Sequence, residues 1–219
     1  MHELTSAAIA LMVCVAAGSY LAGCCNGAII TSFLFYHDDI RKHGSHNAGL
    51  TNFYRVYGGK FAVCVILIDM LKAFVAVKLG SIVFGEYLGL RLEGEYFSAL
   101  FCVIGHIFPA FYSFKGGKGI LCSGTLLLLL DWRIALVCWS LFAVLWLTTR
   151  YVSLGSVSAA AVFPVMTHVV FGDAFATAFS VLIAALVLFA HRENIKRLLN
   201  GTENKFRFHV NAPKSEGEA

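Results

Sequence analysis

Long apolar runs alternate with short polar islands along this chain. Residues 4–35 form the first apolar run, with Gly18, Ser19, Gly23 and Gly27 on a helix-like spacing. A polar stretch fills 37–58, and apolar segments return over 60–79, 96–112, 119–149, 154–171 and 174–190. Polar islands separate them at 113–119, 148–156 and 191–203. A helix needs about 20 apolar residues to cross a bilayer, so the pattern predicts an all-α membrane protein. The first run exceeds that length, and part of it is expected to continue past the membrane, with Cys24-Cys25-Asn26 near its inner end. Residues 119–149 as one helix would measure about 46 Å, against a hydrocarbon core about 30 Å thick, and would bury Asp131-Trp132-Arg133 at the middle. Dividing them at 119–131 and 133–149 gives about seven transmembrane helices.

Composition supports the class. Of 219 residues, 58% are hydrophobic and 14% charged, and the mean hydropathy is +0.75. Soluble domains are nearer half apolar and a quarter charged, which excludes an ordinary soluble domain. With seven spans, all four islands fall on one side. That side then holds thirteen of the seventeen Lys and Arg residues, against three on the other (78, 91, 133), with Lys72 inside a span. The bias predicts islands and C-terminus in the cytoplasm and the N-terminus outside. Met1-His2-Glu3-Leu4 has no basic n-region, so no cleaved signal peptide is expected. Residues 1–203 read as one membrane domain and 204–219 as a polar cytoplasmic tail. The seven cysteines lie mostly within apolar runs without a CxxC pair, and no disulfide is expected.

The islands carry the chemistry. Residues 41–55 supply glycines for tight turns, Ser, Thr and Asn as neutral donors, and Arg55 as a planar cationic fork. Ser113-Phe114-Lys115-Gly116-Gly117-Lys118-Gly119 places two lysines around a Gly-Gly whose backbone N–H groups can form an anion nest. It lacks the GxxxxGK[ST] of a P-loop. A lipid-binding surface needs basic residues but not Gly, Ser, Thr and Asn, so the mixture predicts a phosphate pocket at the inner leaflet. Asp69 and Lys72 share a face of the second span at i, i+3, either as a functional intramembrane pair or as a structural one. His168 and Asp173 form an H-x4-D pattern in an outer turn, away from every island.

In their order and spacing, four motifs resemble the bacterial acyl-phosphate-dependent glycerol-3-phosphate acyltransferases over nearly the whole chain. They are Asp39-Ile40-Arg41 with Gly44-Ser45-x-Asn47-x-Gly49-x-Thr51-Asn52-x-x-Arg55; Gly105-His106-x-Phe108-Pro109 with Phe114-Lys115-Gly116-Gly117-Lys118-Gly119; Arg150-Tyr151-x-Ser153-Leu154; and His191-Arg192-x-Asn194-Ile195-x-Arg197-Leu198, continued by Gly201-Thr202-Glu203. The resemblance implies transfer of an acyl group from acyl phosphate to the 1-hydroxyl of glycerol 3-phosphate at a bacterial inner membrane. It implies Arg55 and Lys115 as phosphate clamps, and the Gly116-Gly117-Lys118-Gly119 backbone as a phosphate cradle. Ser45, Asn47, Thr51 and Ser153 would position phosphate and hydroxyl groups, with Asn52 and Glu203 in the substrate-binding set. His191 and Asn194 would face one site. A substrate phosphate is favoured over His191 as the proton acceptor.

Three departures from that pattern stand out: Cys24-Cys25-Asn26 in place of small residues and proline, His46 where glycine is usual, and Ile120-Leu121-Cys122 in place of Val-Ala-Thr. The partners expected are acyl phosphate, glycerol 3-phosphate and membrane lipid, with no nucleic acid. The protein is expected to be a monomer without metal or cofactor. The competing class is an anion or sugar-phosphate transporter, against which stand the lack of an internal repeat and the clustering of polar islands on one side.

Overall fold

A computed structural model of the chain describes residues 5–206, and what it shows is a helical bundle built around a broken first span. Thr5 caps α1 (Ser6–Cys24) by accepting from the Ala8 amide at 3.3 Å. The apolar run then breaks at Cys25-Asn26 and resumes as α2 (Gly27–Tyr36), capped by Asn26 through the Ile29 amide at 3.0 Å. A break leaves unpaired carbonyls and amides, which hydrocarbon cannot satisfy. The buried ion pair on α4 (Ala62–Leu88) satisfies one of each. Lys72 Nζ donates to the Cys25 carbonyl at 3.2 Å and Asp69 Oδ1 accepts from the Gly27 amide at 3.1 Å, while the pair closes at 2.7 Å. Lys72 also donates to His106 Nδ1 at 2.6 Å. The expected i, i+3 pair therefore forms, and its contacts give it a structural task.

Other boundaries shift. α4 continues through most of the expected acidic loop, and α5 (Arg91–Ile107) starts early, so Gly89-Leu90 makes the turn. Within the first polar stretch lies a short helix, α3 (Leu50–Tyr57). The division of 119–149 occurs at Asp131, giving α6 (Ile120–Leu130) and α7 (Trp132–Thr149). α8 (Val152–Phe171), α9 (Ala174–Ala190) and α10 (Arg192–Leu199) complete the chain. Among the described residues, four helices are long and apolar enough to cross a membrane alone: α1, α5 with the turn after it, α7 and α8. α9 turns by 63° into α10, and α9 reaches the length of a span only when the two are taken together. α6 rises only about 16 Å, roughly half a hydrocarbon core.

α5 is the central helix, packed against α1, α4 and α9. Glycine permits that approach: a Cβ on Gly23 or Gly105 would run into the facing backbone of α5 or α1, and Gly80 and Gly94 do the same between α4 and α5. Below the islands, Tyr96, Val103, Ile134, Phe163 and Ile183 form one buried core. Tyr96 stacks on Phe163 at 6.2 Å and shares a 3.2 Å hydrogen bond with Thr167.

Candidate active site

The first island is shaped by one side chain. Asn52, 2% exposed, accepts from the Ser45 amide at 2.8 Å and donates to the His43 and Asn47 carbonyls at 3.0 and 3.1 Å. It holds a turn in which Gly44 and His46 are left-handed. Arg41 fastens this turn to the second island. Its guanidinium grips Asp39 and donates to the Tyr112 and Lys115 carbonyls at 2.7 and 3.2 Å. α3 then presents Thr51 and Arg55, one turn apart, to a cavity of about 620 Å³.

Ser45, Asn47, Lys118, Gly119, Ser153, His191, Asn194, Arg197 and Glu203 join them at its polar end. Here Lys118 donates to the Asn194 side-chain oxygen, and Asn194 donates to Glu203 at 2.7 Å. Glu203 also accepts from Ser153 Oγ at 2.8 Å and from Arg197 Nε at 2.7 Å. Burial pushes the Glu203 carboxyl up, but the hydrogen bonds from Asn194, Ser153 and Arg197 outweigh it and leave it below its ordinary range. The Lys118 ammonium is pushed down to about 8, first by burial and then by Arg197, with Glu203 opposing and Arg55 adding. Among the described residues, Arg55, Lys118 and Arg197 thus converge on the cavity with the Glu203 carboxylate to balance them, while Asp69, which also lines it, is neutralised by Lys72; this is the electrostatics of an anion site.

His191 is neutral at physiological pH. Burial first, and then the Lys118 charge, lower it to about 4, although its bond to the Val187 carbonyl opposes them. That carbonyl can only accept, so Nδ1, 2.8 Å away, carries the ring proton and Nε2 remains as an acceptor.

The rest of the cavity is mostly apolar, with Asp69, His106, Ser123, Thr125 and Ser156 as its polar lining. Successive turns of α8 contribute Ser153, Ser156, Ala160 and Phe163; α9 contributes Val187, Ala184 and Ile183; α6 contributes Leu127 and Leu130. Along α8 from Ser153 to Phe163 the shaft is about 15 Å deep. A second, polar recess adjoins it, lined by Gly44, Tyr151 and Lys205 and sharing Ser45, Arg55, Glu203 and Asn204.

Some expected site residues lie elsewhere. Lys115 is exposed and lines neither cavity, because the left-handed Ser113-Phe114 turn sends it to the surface. The Gly116 and Gly117 amides do not form the expected cradle, since they donate to the Ile107 and His106 carbonyls at 3.1 Å each. Asn52 does line the cavity, with its side chain bonded to the turn. His46 is exposed, its Nδ1 3.1 Å from the Arg41 carbonyl, and lies outside the pocket. Cys122 faces Cys102 in the core at 3.7 Å, so that departure removes no hydroxyl from the cavity. His168 and Asp173 lie outside it too, where Asp173 caps α9. The sequence places Arg197 in the fourth motif without a role of its own, although His191, Asn194 and Arg197 recur at i+3 along one helix face. The shaft had a comparable signal in the small residues of α8.

An anion site opening into an apolar shaft within a membrane bundle defines an enzyme class that joins a charged substrate to a lipid one. The glycerol-3-phosphate acyltransferase family model matches residues 13–201, and the chain belongs to that family; it is an integral membrane acyltransferase. It is 38% identical over 190 residues to a glycerol-3-phosphate acyltransferase of Fusobacterium nucleatum subsp. nucleatum, covering 87% of this chain and 95% of that one. It is 41% identical over 192 residues to one of Finegoldia magna, covering 85% and 91%. Among solved structures it is similar to PlsY (YgiH), an integral membrane glycerol 3-phosphate acyltransferase. With the glycerol 3-phosphate form the TM-score is 0.80 at 30% identity, covering 90% of this chain and 96% of that one. With the lysophosphatidic acid form it is 0.77 at 28%, covering 90% and 95%.

Proposed function

We propose that the protein transfers the acyl group of acyl phosphate to the 1-hydroxyl of sn-glycerol 3-phosphate. The products are 1-acyl-sn-glycerol 3-phosphate and phosphate, at the first step of phospholipid synthesis. The observation that carries this reading is the single cavity that joins three cations to an apolar shaft. In this reading Arg55, Lys118 and Arg197 hold the two phosphates, and Ser45, Asn47, Thr51 and Ser153 orient phosphate and hydroxyl groups. Lys118 takes the clamp role that the sequence had given to Lys115. The acyl chain lies along α6, α8 and α9. The polar recess beside Arg55 and Lys205 admits the water-soluble substrate.

The attacking hydroxyl gives its proton to a substrate phosphate oxygen. His191 orients that hydroxyl through Nε2 without keeping the proton, because its surroundings hold imidazolium at a disadvantage. The protein works as a monomer of one catalytic domain, 1–203, with 204–219 as a tail. It sits in the bacterial plasma membrane with seven spans and its islands in the cytoplasm, where glycerol 3-phosphate is available.

The test compares purified wild type, Arg55→Ala and His168→Ala with palmitoyl phosphate and glycerol 3-phosphate. Turnover in wild type and His168→Ala, lost in Arg55→Ala, is expected. Loss in His168→Ala with retention in Arg55→Ala would move the chemistry to the H-x4-D turn and overturn the proposal.

A further inference from the structure

Four hydroxyl side chains on α6 and α8 line the cavity: Ser123, Thr125, Ser153 and Ser156. Three of them are committed within the protein. Thr125 donates to the Leu121 carbonyl at 3.0 Å, Ser156 to the Val152 carbonyl at 2.8 Å, and Ser153 to Glu203 at 2.8 Å. Ser123 Oγ is buried and has no hydrogen-bond partner among the described residues. A helical serine ordinarily turns back to the carbonyl four residues earlier. The Ser123 hydroxyl does not: the Gly119 carbonyl accepts the Ser123 amide at 2.6 Å, as in any α-helix, and takes no second bond from Oγ, unlike the i−4 carbonyls of Thr125 and Ser156. An unmade bond at a buried hydroxyl is costly, and a ligand acceptor removes that cost.

Its position says which acceptor. Along α6, Lys118 and Gly119 stand at the polar end and Leu127 and Leu130 in the shaft. Ser123 lies between them, about 6 Å beyond Gly119 along the axis. A lipid donor with its phosphate at Lys118 and its chain in the shaft brings its carbonyl to that boundary.

We propose that Ser123 is a catalytic residue of the acyl transfer: its hydroxyl donates a hydrogen bond to the carbonyl oxygen of the bound acyl phosphate. This rests on the donor reading given above. As the glycerol 3-phosphate oxygen bonds to the carbonyl carbon, the carbonyl electron pair moves onto its oxygen. It returns as the bond from carbon to the phosphate oxygen breaks. Phosphate leaves with that electron pair and takes up the proton of the attacking hydroxyl. Ser123 keeps its own proton throughout and stabilises the negative charge on the oxygen, the task of an oxyanion-hole donor.

The experiment measures kcat and the KM for palmitoyl phosphate in wild type, Ser123→Ala and Ser123→Thr, with melting curves to confirm folding. Ser123→Ala is expected to lower kcat on the order of a hundredfold, the scale of losing one such donor, with KM for the acyl donor nearly unchanged. Ser123→Thr restores a hydroxyl and is expected to recover most of the rate. A Ser123→Ala enzyme with wild-type kcat overturns the proposal, and so does a raised KM with kcat intact, which would place the bond in the ground state or on the phosphate. A Ser123→Thr enzyme as slow as Ser123→Ala, both folded, also counts against it. No turnover by folded wild type overturns the donor reading itself and this inference with it. Normal wild-type turnover with an unaffected Ser123→Ala overturns this inference alone.

Discussion

Lys118, at the start of α6, donates to the side-chain oxygen of Asn194 on α10, 76 residues further along the chain. Asn194 passes the polarity on to Glu203, so two remote islands are joined at the anion site by one relay. Because its ordinary value is lowered to about 8, Lys118 is charged below that pH and loses its charge above it. The free enzyme's kcat/KM is expected to fall as pH rises through about 8. Glu203→Gln, which removes the charge that holds the ammonium up, is expected to move this limb to lower pH. Lys118→Met should lose the limb together with on the order of a hundredfold in kcat/KM, the loss expected when a positioned charge is removed from a dry site. A pH–rate series on the three proteins checks both.

His191 should leave a different signature. With its imidazole near 4, protonation of His191 does not limit the rate between pH 5 and 7. His191→Gln, which keeps an acceptor, is expected to cost less than roughly a hundredfold in kcat, below the usual range for removal of a general base. A thousandfold loss, with a wild-type acid limb near pH 6.5, would make His191 the base after all.

The Asp69–Lys72 ion pair at the cavity wall answers to stability. Asp69→Leu strands the Lys72 charge and frees the Gly27 amide, and Lys72→Met strands the Asp69 charge and frees the Cys25 carbonyl, both at the break between α1 and α2. Each is expected to destabilise by about 3–5 kcal/mol, as breaking one side of a buried pair does. The double variant should recover part of the loss. Thermal melting in detergent separates this from an ion pair that serves catalysis alone, whose variants would melt as wild type.

Phe163, 5% exposed and backed by Tyr96, floors the shaft with Leu130 and Ile183. Phe163→Leu deepens it, and the preferred donor should lengthen. Relative rates with dodecanoyl, palmitoyl and stearoyl phosphate report the shift, and an unchanged ranking would place the chain elsewhere.

Much of this was legible in the sequence, for stated reasons. Apolar length and the buried charge problem at Asp131-Trp132-Arg133 divided 119–149 where α6 and α7 divide. Four islands on one side, rich in Gly, Ser and Asn, indicated a phosphate site, and Ser45, Thr51, Arg55, Lys118, Ser153, His191, Asn194 and Glu203 line one cavity. What stayed hidden depends on local backbone geometry. A KGGKG stretch does not reveal that Ser113 and Phe114 turn left-handed and expose Lys115, nor that the glycine amides are spent on the end of α5. Likewise the sequence does not show that Asn52, which lines the cavity, also holds the turn together. α3 is too short to announce itself by periodicity, and Arg197, although part of the fourth motif, was given no role of its own.

The most direct measurement is the product balance of the purified wild-type protein in lipid with glycerol 3-phosphate and either palmitoyl phosphate or palmitoyl-CoA. The account predicts equal amounts of lysophosphatidic acid and inorganic phosphate from the acyl phosphate, and no turnover with the thioester. Turnover with palmitoyl-CoA and none with palmitoyl phosphate would contradict it.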